Sequence, residues 1–376
     1  MIILQEIVAA FSLSFTMFWD ILWALIVGFG ISAAIQAVVS RSTVSKLLPD
    51  ASAKSLTVAC GLGFASSSCS YAAVAIARSL FQKGANFTSA IVFEFASTNL
   101  VVELGVILWI LIGWQFTLAE FIGGIIMVVI LSWLFKIFLN KKMVAGAKAQ
   151  TEKNLKGTME GHARMDMSVQ GGSVLGRLFS GKGFTAVSHY FFMDIYSVWK
   201  DIFAGLLIAG AIGAWVPASF WKVFFLAGQP GAVQTVWGAL IGPLISVISF
   251  VCSVGNIPLA AVLWQSGISF AGVIAFIFAD LIILPILDIY RKYYGAKMAA
   301  FLFAASYAAM AAAGIIVEYL FSFFGLLPTS RNAAILQVGI SFNYTTALDI
   351  ILLLIAVTLF IRFIRTKGHA MLKMMN

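Results

Sequence analysis

The sequence predicts an all-α polytopic membrane protein with two inverted repeats and one extra C-terminal span. Three observations lead to this prediction. Of the 376 residues, 61% are hydrophobic and only 10% are charged, and the mean hydropathy is +1.01, whereas soluble domains are about 45–50% apolar and about 25% charged. Apolar runs long enough to cross a bilayer recur along the chain. One segment of the first half also has a counterpart in the second half.

Seven apolar runs approach the ~20 residues that a spanning helix needs. They are 18–40, 87–112, 119–140, 198–216, 269–290, 298–321 and 345–365. Two further apolar stretches, 54–82 and 233–265, are interrupted by polar or helix-breaking residues. We expect each of these to be a broken helix or a re-entrant hairpin, because irregular backbone is tolerated in a bilayer only where protein or a water-filled cavity satisfies its polar groups.

The positions of the basic residues predict how the chain crosses the membrane. Lys and Arg outnumber Asp and Glu 24 to 15, and the excess clusters in the loops after the spans that end near residues 40, 140 and 290, after the first interrupted stretch, and in the C-terminal tail. Cytoplasmic loops carry such an excess. The arrangement that places all of them inside has the N-terminus outside, the C-terminus in the cytoplasm and both interrupted stretches re-entrant. The +9 net charge thus indicates topology, and no nucleic-acid partner is expected.

An internal repeat relates the two interrupted stretches. Residues 69–96 align with residues 252–279 at a constant offset of 183, and eleven of the 28 positions are identical. The matched positions include the pairs Cys69-Ser70 and Cys252-Ser253 and a Gln-x-Gly turn. Each repeat would contain three spans plus one broken or re-entrant hairpin. An odd number of crossings makes the two repeats inverted, and interrupted helices at corresponding positions of such repeats point to a transporter's substrate site.

The domain organisation follows from this repeat. We expect a first membrane repeat over 1–140, a basic cytoplasmic linker over 141–183 and a second membrane repeat over 184–321. Residues 322–376 supply a loop, the final transmembrane helix and a basic cytoplasmic tail.

The polar residues at the two interruptions are the candidate substrate-binding residues. A helix that begins at each interruption presents its free N–H groups and positive dipole end to the cavity. Thiolates select soft metals and metalloids, although a lone Cys is also a common buried hydrophobe. With one polar contact from the following span, the candidates are Ser66, Ser67, Ser68, Cys69, Ser70, Asn99, Cys252, Ser253 and Asn256.

Two intramembrane carboxylates are the candidate proton-coupling groups. Glu94 lies in the 87–112 run, and Asp280 lies in the equivalent run of the second repeat, where it corresponds to Ser97. Ionisable residues inside a bilayer are costly and usually functional. Three cysteines and three histidines are too few and too scattered for a recognisable metal or cofactor motif, so neither a cofactor nor an enzymatic activity is expected.

The two repeated segments resemble a family of predicted bacterial permeases that includes the ArsP-type organoarsenical efflux permeases. The resemblance is carried by FASSSCSYAAVAIARSLFQKGANFTSAIVFEFAS and by CSVGNIPLAAVLWQSGISFAGVIAFIFADLIILPILDIYRKYYGAKMA. The first family motif often reads Cys-Ser-Cys-Ser with a proline a few residues later. Here Ser67 and Ala75 occupy the positions of the first cysteine and the proline, which weakens the transfer of a thiol-based arsenical site.

The resemblance implies a secondary transporter in the bacterial inner membrane. We expect export of a small solute, such as an organoarsenical or another soft metalloid, by alternating access coupled to protons, with lipid and the substrate as partners and a homo-oligomer left open. A small-anion transporter or channel that uses the helix N-termini is the alternative. A non-transporting partner subunit is a further one, and a membrane-embedded enzyme is disfavoured.

Overall fold

The computed structural model describes residues 2–38, 47–66, 70–151, 167–169, 171, 173–226, 231–249, 253–331 and 344–370. These ranges contain sixteen α-helices and one 3₁₀ helix, η1. In the first half the helices are α1 (Ile2–Val38), α2 (Ala53–Ser66), α3 (Ser70–Gln82), α4 (Phe87–Asn99), α5 (Val102–Leu111), α6 (Trp114–Phe138), α7 (Lys141–Thr151) and α8 (Val174–Leu178). In the second half they are α9 (Gly181–Trp215), α10 (Ala218–Phe224), α11 (Gly231–Ser249), α12 (Ser253–Gln265), α13 (Phe270–Phe278), η1 (Ala279–Leu281), α14 (Leu284–Tyr294), α15 (Ala296–Phe323) and α16 (Tyr344–Arg365).

Several of these helices are long and apolar enough to span a membrane. Within the described ranges there are five such spans, formed by α4 with α5, α6, α11, α15 and α16. The pair α13 and α14, bent by 42°, makes a sixth if it is counted as one span. The prediction of an all-α polytopic membrane protein is confirmed.

Two of the predicted spans are divided. The run 87–112 is broken at Leu100 and Val101, between α4 and α5. At the end of α4 the hydroxyls of Ser97 and Thr98 donate to the carbonyls of Glu94 and Phe95, and such local bonds compete with the helical pattern. The run 269–290 is broken before α14, where a proline in the first turn of the helix has no N–H to donate to a preceding helical turn.

The predicted spans 18–40 and 198–216 belong to the longer helices α1 and α9, which pack antiparallel. The Ser14 hydroxyl on α1 donates to the Leu206 carbonyl on α9 over 2.9 Å. α16 packs on this pair, and the Ser188 hydroxyl of α9 donates to the Leu359 carbonyl over 2.8 Å. These three helices flank the rest of the bundle.

The first interrupted stretch is a helical hairpin formed by α2 and α3. Its two ends meet, because the Asn86 amide donates to the Leu48 carbonyl over 2.8 Å. Gly84, with a φ of +100°, makes the turn into α4, a conformation that glycine adopts without strain. The Asn86 side chain caps α4 by accepting from the amide of Thr88 over 2.9 Å. The chain therefore runs out along α2 and returns along α3 before α4 begins.

The second interrupted stretch, α11 and α12, repeats this construction. The Gln234 side chain near the start of α11 donates to the Gly267 carbonyl over 3.0 Å, so this hairpin also returns to the end from which it started. Gly267 has a φ of +109°, and Ser269 caps α13. At the offset of 183, α12 matches α3 at both ends, Gly267 matches Gly84 and Ser269 matches Asn86.

Aromatic contacts show that equivalent helices run in opposite directions. Phe87 at the start of α4 lies 6.3 Å, between ring centroids, from Phe135 at the end of α6. Phe270 at the start of α13 lies 4.7 Å from Phe116 at the start of α6. Thus α4 and α13 begin at opposite ends of α6. Both are completely buried and form the centre of the molecule.

The first part of the predicted linker is ordered against the first hairpin. α7 crosses the base of that hairpin, where the Arg78 guanidinium donates to the Thr151 carbonyl over 3.0 Å. The Gln150 side chain donates to the Lys292 carbonyl over 3.0 Å and ties α7 to the end of α14. The ends of α3, α6 and α14 therefore lie together at one end of the bundle.

Candidate functional site

The returning arms of the two hairpins begin side by side in the centre of the protein. The Ser70 hydroxyl at the start of α3 accepts a long hydrogen bond of 3.5 Å from the amide of Ser253 at the start of α12. Ser70 is 0% exposed and Ser253 is 3% exposed. Two helix N-termini, one from each repeat, thus converge at a buried position.

Asp280 lies beside this junction. Its Oδ2 accepts from the Ser70 hydroxyl over 2.6 Å, and its Oδ1 accepts a long hydrogen bond of 3.5 Å from the Asn99 side-chain amide. The 3₁₀ turn η1 that follows α13 carries Asp280, while Asn99 is the last residue of α4. The carboxylate therefore joins α3, α4 and η1, that is, both repeats.

Glu94 lies one to two turns before Asn99 on α4. Its Oε1 accepts a hydrogen bond from the Tyr290 hydroxyl on α14, and both residues are buried. Glu94 also interacts electrostatically with Asp280. The two predicted carboxylates therefore belong to one buried polar region, although they bind different partners.

Asn256 fixes the geometry within the second hairpin. Its side-chain amide donates to the Ser246 hydroxyl on α11 over 3.2 Å, which links the outgoing and returning arms close to their tip. Ser66 ends the outgoing arm of the first hairpin and is half-buried. The remaining predicted site residues, Ser67, Ser68, Cys69 and Cys252, lie outside the described residues.

Comparison with known proteins identifies the family. The family model ArsP_1, described as "Predicted permease", matches residues 6–319, which include both hairpins and the buried site. The chain belongs to the ArsP-type permease family. The permease is also 57% identical over 340 residues to the Mycobacterium tuberculosis (strain ATCC 25618 / H37Rv) protein named "Putative permease Rv2963", with 90% of this chain and 84% of that protein aligned. No solved structure matches the permease.

The membership establishes a membrane permease, and it favours a transporter over an enzyme. Among the residues that the structure describes in this permease, no group of three His, Cys, Asp or Glu side chains is arranged to hold a metal ion. The buried polar atoms of the site are chiefly carboxylate, amide and hydroxyl groups. Such groups suit hydrogen bonding and proton exchange.

The sequence analysis missed one carboxylate of the permease. Glu120 on α6 is 0% exposed and interacts electrostatically with Asp280. It stands at the edge of the predicted span 119–140, so it was not counted among the intramembrane charges, whereas α6 begins at Trp114 and places it inside the helix. A lone glutamate in the apolar run 116–135 was the available signal.

Proposed function

We propose that this permease is a secondary transporter that moves a small solute through the junction of the two hairpins by alternating access. The observation that carries the proposal is the meeting of Ser70 and Ser253 beside Asp280. Helix N-termini that converge at a buried polar site are a recurring design in secondary transporters. A site formed by both repeats opens to one side of the membrane or to the other when one repeat moves against the other.

The two units form an inverted repeat across the membrane, and both hairpins are re-entrant. The antiparallel directions of α4 and α13 at the two ends of α6 support this proposal, as does the contact between the two ends of each hairpin. In the first hairpin, α2 and α3 have 14 and 13 residues, about 20 Å each at 1.5 Å per residue, which is less than the ~30 Å hydrocarbon core. In the second hairpin the returning arm α12 also has 13 residues, whereas α11 is long enough to span by length and composition, so re-entry there is supported by the contact between the two ends of the hairpin.

The membrane is the bacterial inner membrane, and the end of the bundle that carries α7 faces the cytoplasm. Basic residues gather there, at the ends of α3, α6 and α14, in α7 and at the start of α15, namely Lys83, Lys136, Lys141, Lys142, Lys148, Arg291, Lys292 and Lys297. An excess of Lys and Arg in short loops is the mark of the cytoplasmic side. This orientation places the N-terminus outside and the C-terminus in the cytoplasm.

The substrate class is a soft metalloid or its organic derivative, and the direction is export. Cys69 and Cys252 immediately precede Ser70 and Ser253 in the sequence, the two residues that meet at the junction. Thiolates bind soft metalloids, which supports a role for these two cysteines. The family relation supports the transport of a small solute.

The small-anion alternative receives less support from the charge of the site. The carboxylate of Asp280 already accepts from Ser70 at the N-terminus of α3, and Glu94 is buried nearby. An anion at this position would face two carboxylates, and like charges in a buried site repel strongly. A neutral, cationic or proton-exchanging substrate suits the site better.

The transport proposal is tested in proteoliposomes. Uptake of a trivalent methylated arsenical is compared with uptake of arsenite, with and without a pH gradient, for the wild type and for Cys69→Ser, Cys252→Ser and Cys60→Ser. We expect saturable, gradient-dependent uptake that is lost in the first two variants and kept in the third, since Cys60 is half-buried on α2, several residues before its end. Gradient-dependent uptake that survives both Cys69→Ser and Cys252→Ser would show that these two thiols do not bind the substrate.

The orientation is tested by labelling single cysteines in intact cells and in inverted vesicles. Cysteines are introduced at Lys54 and Lys83, the two ends of the first hairpin, and at Gln115, near the opposite end of α6. We expect the first two to react only from the cytoplasmic side and the third only from the outside. Labelling of Lys54→Cys and Lys83→Cys from opposite sides would show that α2 and α3 together cross the membrane.

A further inference from the structure

Glu120 differs in its hydrogen bonding from Asp280 and Glu94, the two carboxylates of the candidate site. Asp280 accepts from Ser70 and Asn99, and Glu94 accepts from Tyr290. Neither oxygen of Glu120 has a hydrogen-bond partner among the described residues, although the side chain is completely buried. A buried carboxylate without a donor is a costly arrangement unless a positive partner or a proton compensates it.

The face of α6 that carries Glu120 is pressed against the site. Gly123 and Gly124 follow Glu120 by three and four residues and share its face of the helix. A Cβ at Gly124 would lie 2.5 Å from Leu100 and 3.5 Å from the carbonyl oxygen of Asn99, and a Cβ at Gly123 would lie 2.9 Å from Phe278. The glycines therefore allow α6 to approach the end of α4 and the end of α13, the elements that carry Asn99 and lead into Asp280.

Two further buried oxygens belong to α4, whose end packs against the face of α6 that carries Glu120. Like the two oxygens of Glu120, Oδ1 of Asn99 and Oε2 of Glu94 lack a hydrogen-bond donor among the described residues. A buried site with this surplus of acceptors has a place for protons or for a group that donates hydrogen bonds.

The charged groups around Glu120 do not include a compensating cation in the described part of the chain. Asp280 is the group that interacts with it electrostatically, and the interaction is repulsive when both are ionised. On the helices packed against α6, Glu94 is tied to Tyr290, and Glu103 stands in the first turn of α5. Lys297 lies at the start of α15. Glu318, near the other end of α15, follows Val317, which lies against Gly123 of α6, and its carboxylate accepts from the Thr235 hydroxyl and the Ala271 amide.

We propose that Glu120 is a proton-carrying residue of the transport cycle and that it exchanges its proton within a pair formed with Asp280. Glu120 belongs to the first repeat and Asp280 to the second, so their separation changes when the repeats move against each other. Glu120 binds a proton when the pair is closed and buried, and releases it when the pair opens to water. The inference rests on the proposed transport function, since it names the group that couples transport to the proton gradient.

The first test measures coupling with the trivalent methylated arsenical as probe. Glu120→Gln is compared with the wild type and with Glu103→Gln, a matched control at the start of the next-door helix α5. We expect Glu120→Gln to exchange the probe across the membrane at equal concentrations but to lose its accumulation in response to a pH gradient. The control should retain both. Accumulation by Glu120→Gln at the wild-type level would overturn the inference and leave the transport proposal intact.

The second test needs no substrate. Infrared difference spectra of the purified protein between two pH values report the carbonyl stretch of protonated carboxylic acids. We expect a pH-dependent band that loses intensity in Glu120→Gln and changes in Asp280→Asn, because the two groups form one pair, while Glu103→Gln leaves it unchanged. If the wild type moves no arsenical but this pattern holds, the proposed substrate fails and the proton-carrying pair stands. A band that is identical in the wild type and Glu120→Gln refutes the pair.

Discussion

Lys148 and Arg331 lie 183 positions apart and bind corresponding parts of the two hairpins. The Lys148 ammonium donates to the carbonyls of Phe81 and Gln82 over 2.8 and 2.9 Å, at the end of α3. The Arg331 guanidinium donates to the carbonyls of Trp264 and Ile268 over 3.0 and 2.7 Å, at and just beyond the end of α12. Each cation also lies over an aromatic ring, Phe81 at 5.1 Å and Trp264 at 4.4 Å.

Each repeat is therefore followed by a cation that binds back to the base of that repeat's hairpin. Positive charge near a helix C-terminus is favourable because it meets the carbonyls that have no partner within the helix. The two cations bind the two hairpin bases at opposite ends of the molecule.

Replacement of either cation is expected to loosen only its own hairpin. Lys148→Met removes the hydrogen bonds to α3 and Arg331→Met removes those to α12, at a local cost of about 1 kcal/mol for each set of partly exposed charge-assisted bonds. Hydrogen–deuterium exchange should become faster around residues 78–86 in the first variant and around 262–269 in the second. Equal protection in both variants and the wild type would show that these contacts do not hold the hairpins.

Asp280→Asn is expected to abolish gradient-driven transport while the protein stays folded. Asparagine keeps the size of the side chain and a hydrogen-bond acceptor for Ser70, but it has no negative charge to bind a proton. The control is Asp288→Asn on α14, an exposed aspartate that pairs with Lys292 at 2.7 Å. Such surface pairs contribute about 0–1 kcal/mol, so the control should transport normally. Comparable transport by both variants would show that gradient-driven transport does not need Asp280.

Two glycines of α2 provide a matched test of how the first hairpin packs on α4. A Cβ at Gly63 would lie 2.6 Å from the Phe93 carbonyl oxygen and 2.7 Å from the Ala96 side chain, whereas a Cβ at Gly61 would meet nothing within 4 Å. We expect Gly63→Ala to destabilise the protein by about 1–3 kcal/mol, the usual cost of overpacking. Gly61→Ala should be neutral or stabilising by up to about 1 kcal/mol. Thermal unfolding in detergent measures both, and equal melting temperatures would contradict the close packing of α2 on α4.

Asp50 is expected to make the stability of the base of the first hairpin depend on pH. Its Oδ1 accepts from the Ser52 hydroxyl over 2.7 Å and from the Ser55 hydroxyl over 2.5 Å, and these bonds lower the pKa of Asp50 from 3.8 to about 2. A lowered folded-state pKa adds stability above the unfolded value, and this stability is lost as the pH falls towards the folded value. Hence the wild type should melt above Asp50→Asn at pH 5, and the difference should shrink between pH 4 and 2. A difference that does not change with pH would contradict this role.

The sequence repeat predicted which helices of the two halves correspond. The alignment of Cys69 with Cys252 predicted equivalent helices, and α3 and α12 match at both ends. The reason is that the Gln-x-Gly turn and the polar residue two positions after the glycine, Asn86 or Ser269, are local signals for ending one helix and capping the next. The equivalence of Lys148 and Arg331 was not visible, because few residues around them match and Lys148 stands in the predicted linker.

The division of the spans 87–112 and 269–290 depended partly on local chemistry that could be seen in advance. Proline in the first turn of α14 and the hydroxyl residues Ser97 and Thr98 are recognisable breakers in an apolar run. The high hydrophobicity of the two runs nevertheless favoured continuous helices, since length and composition alone cannot locate a bend.

The sequence by itself determined that this protein is an all-α polytopic membrane protein with duplicated interrupted helices, because hydropathy, helix signals and repeated motifs are properties of neighbouring residues. The tertiary structure decided which buried polar groups meet: Asp280 with Ser70 and Asn99, and Glu94 with Tyr290. Ser70 and Asp280 are 210 positions apart. The packing of helices that run in opposite directions sets such contacts, and no local pattern in the sequence encodes them.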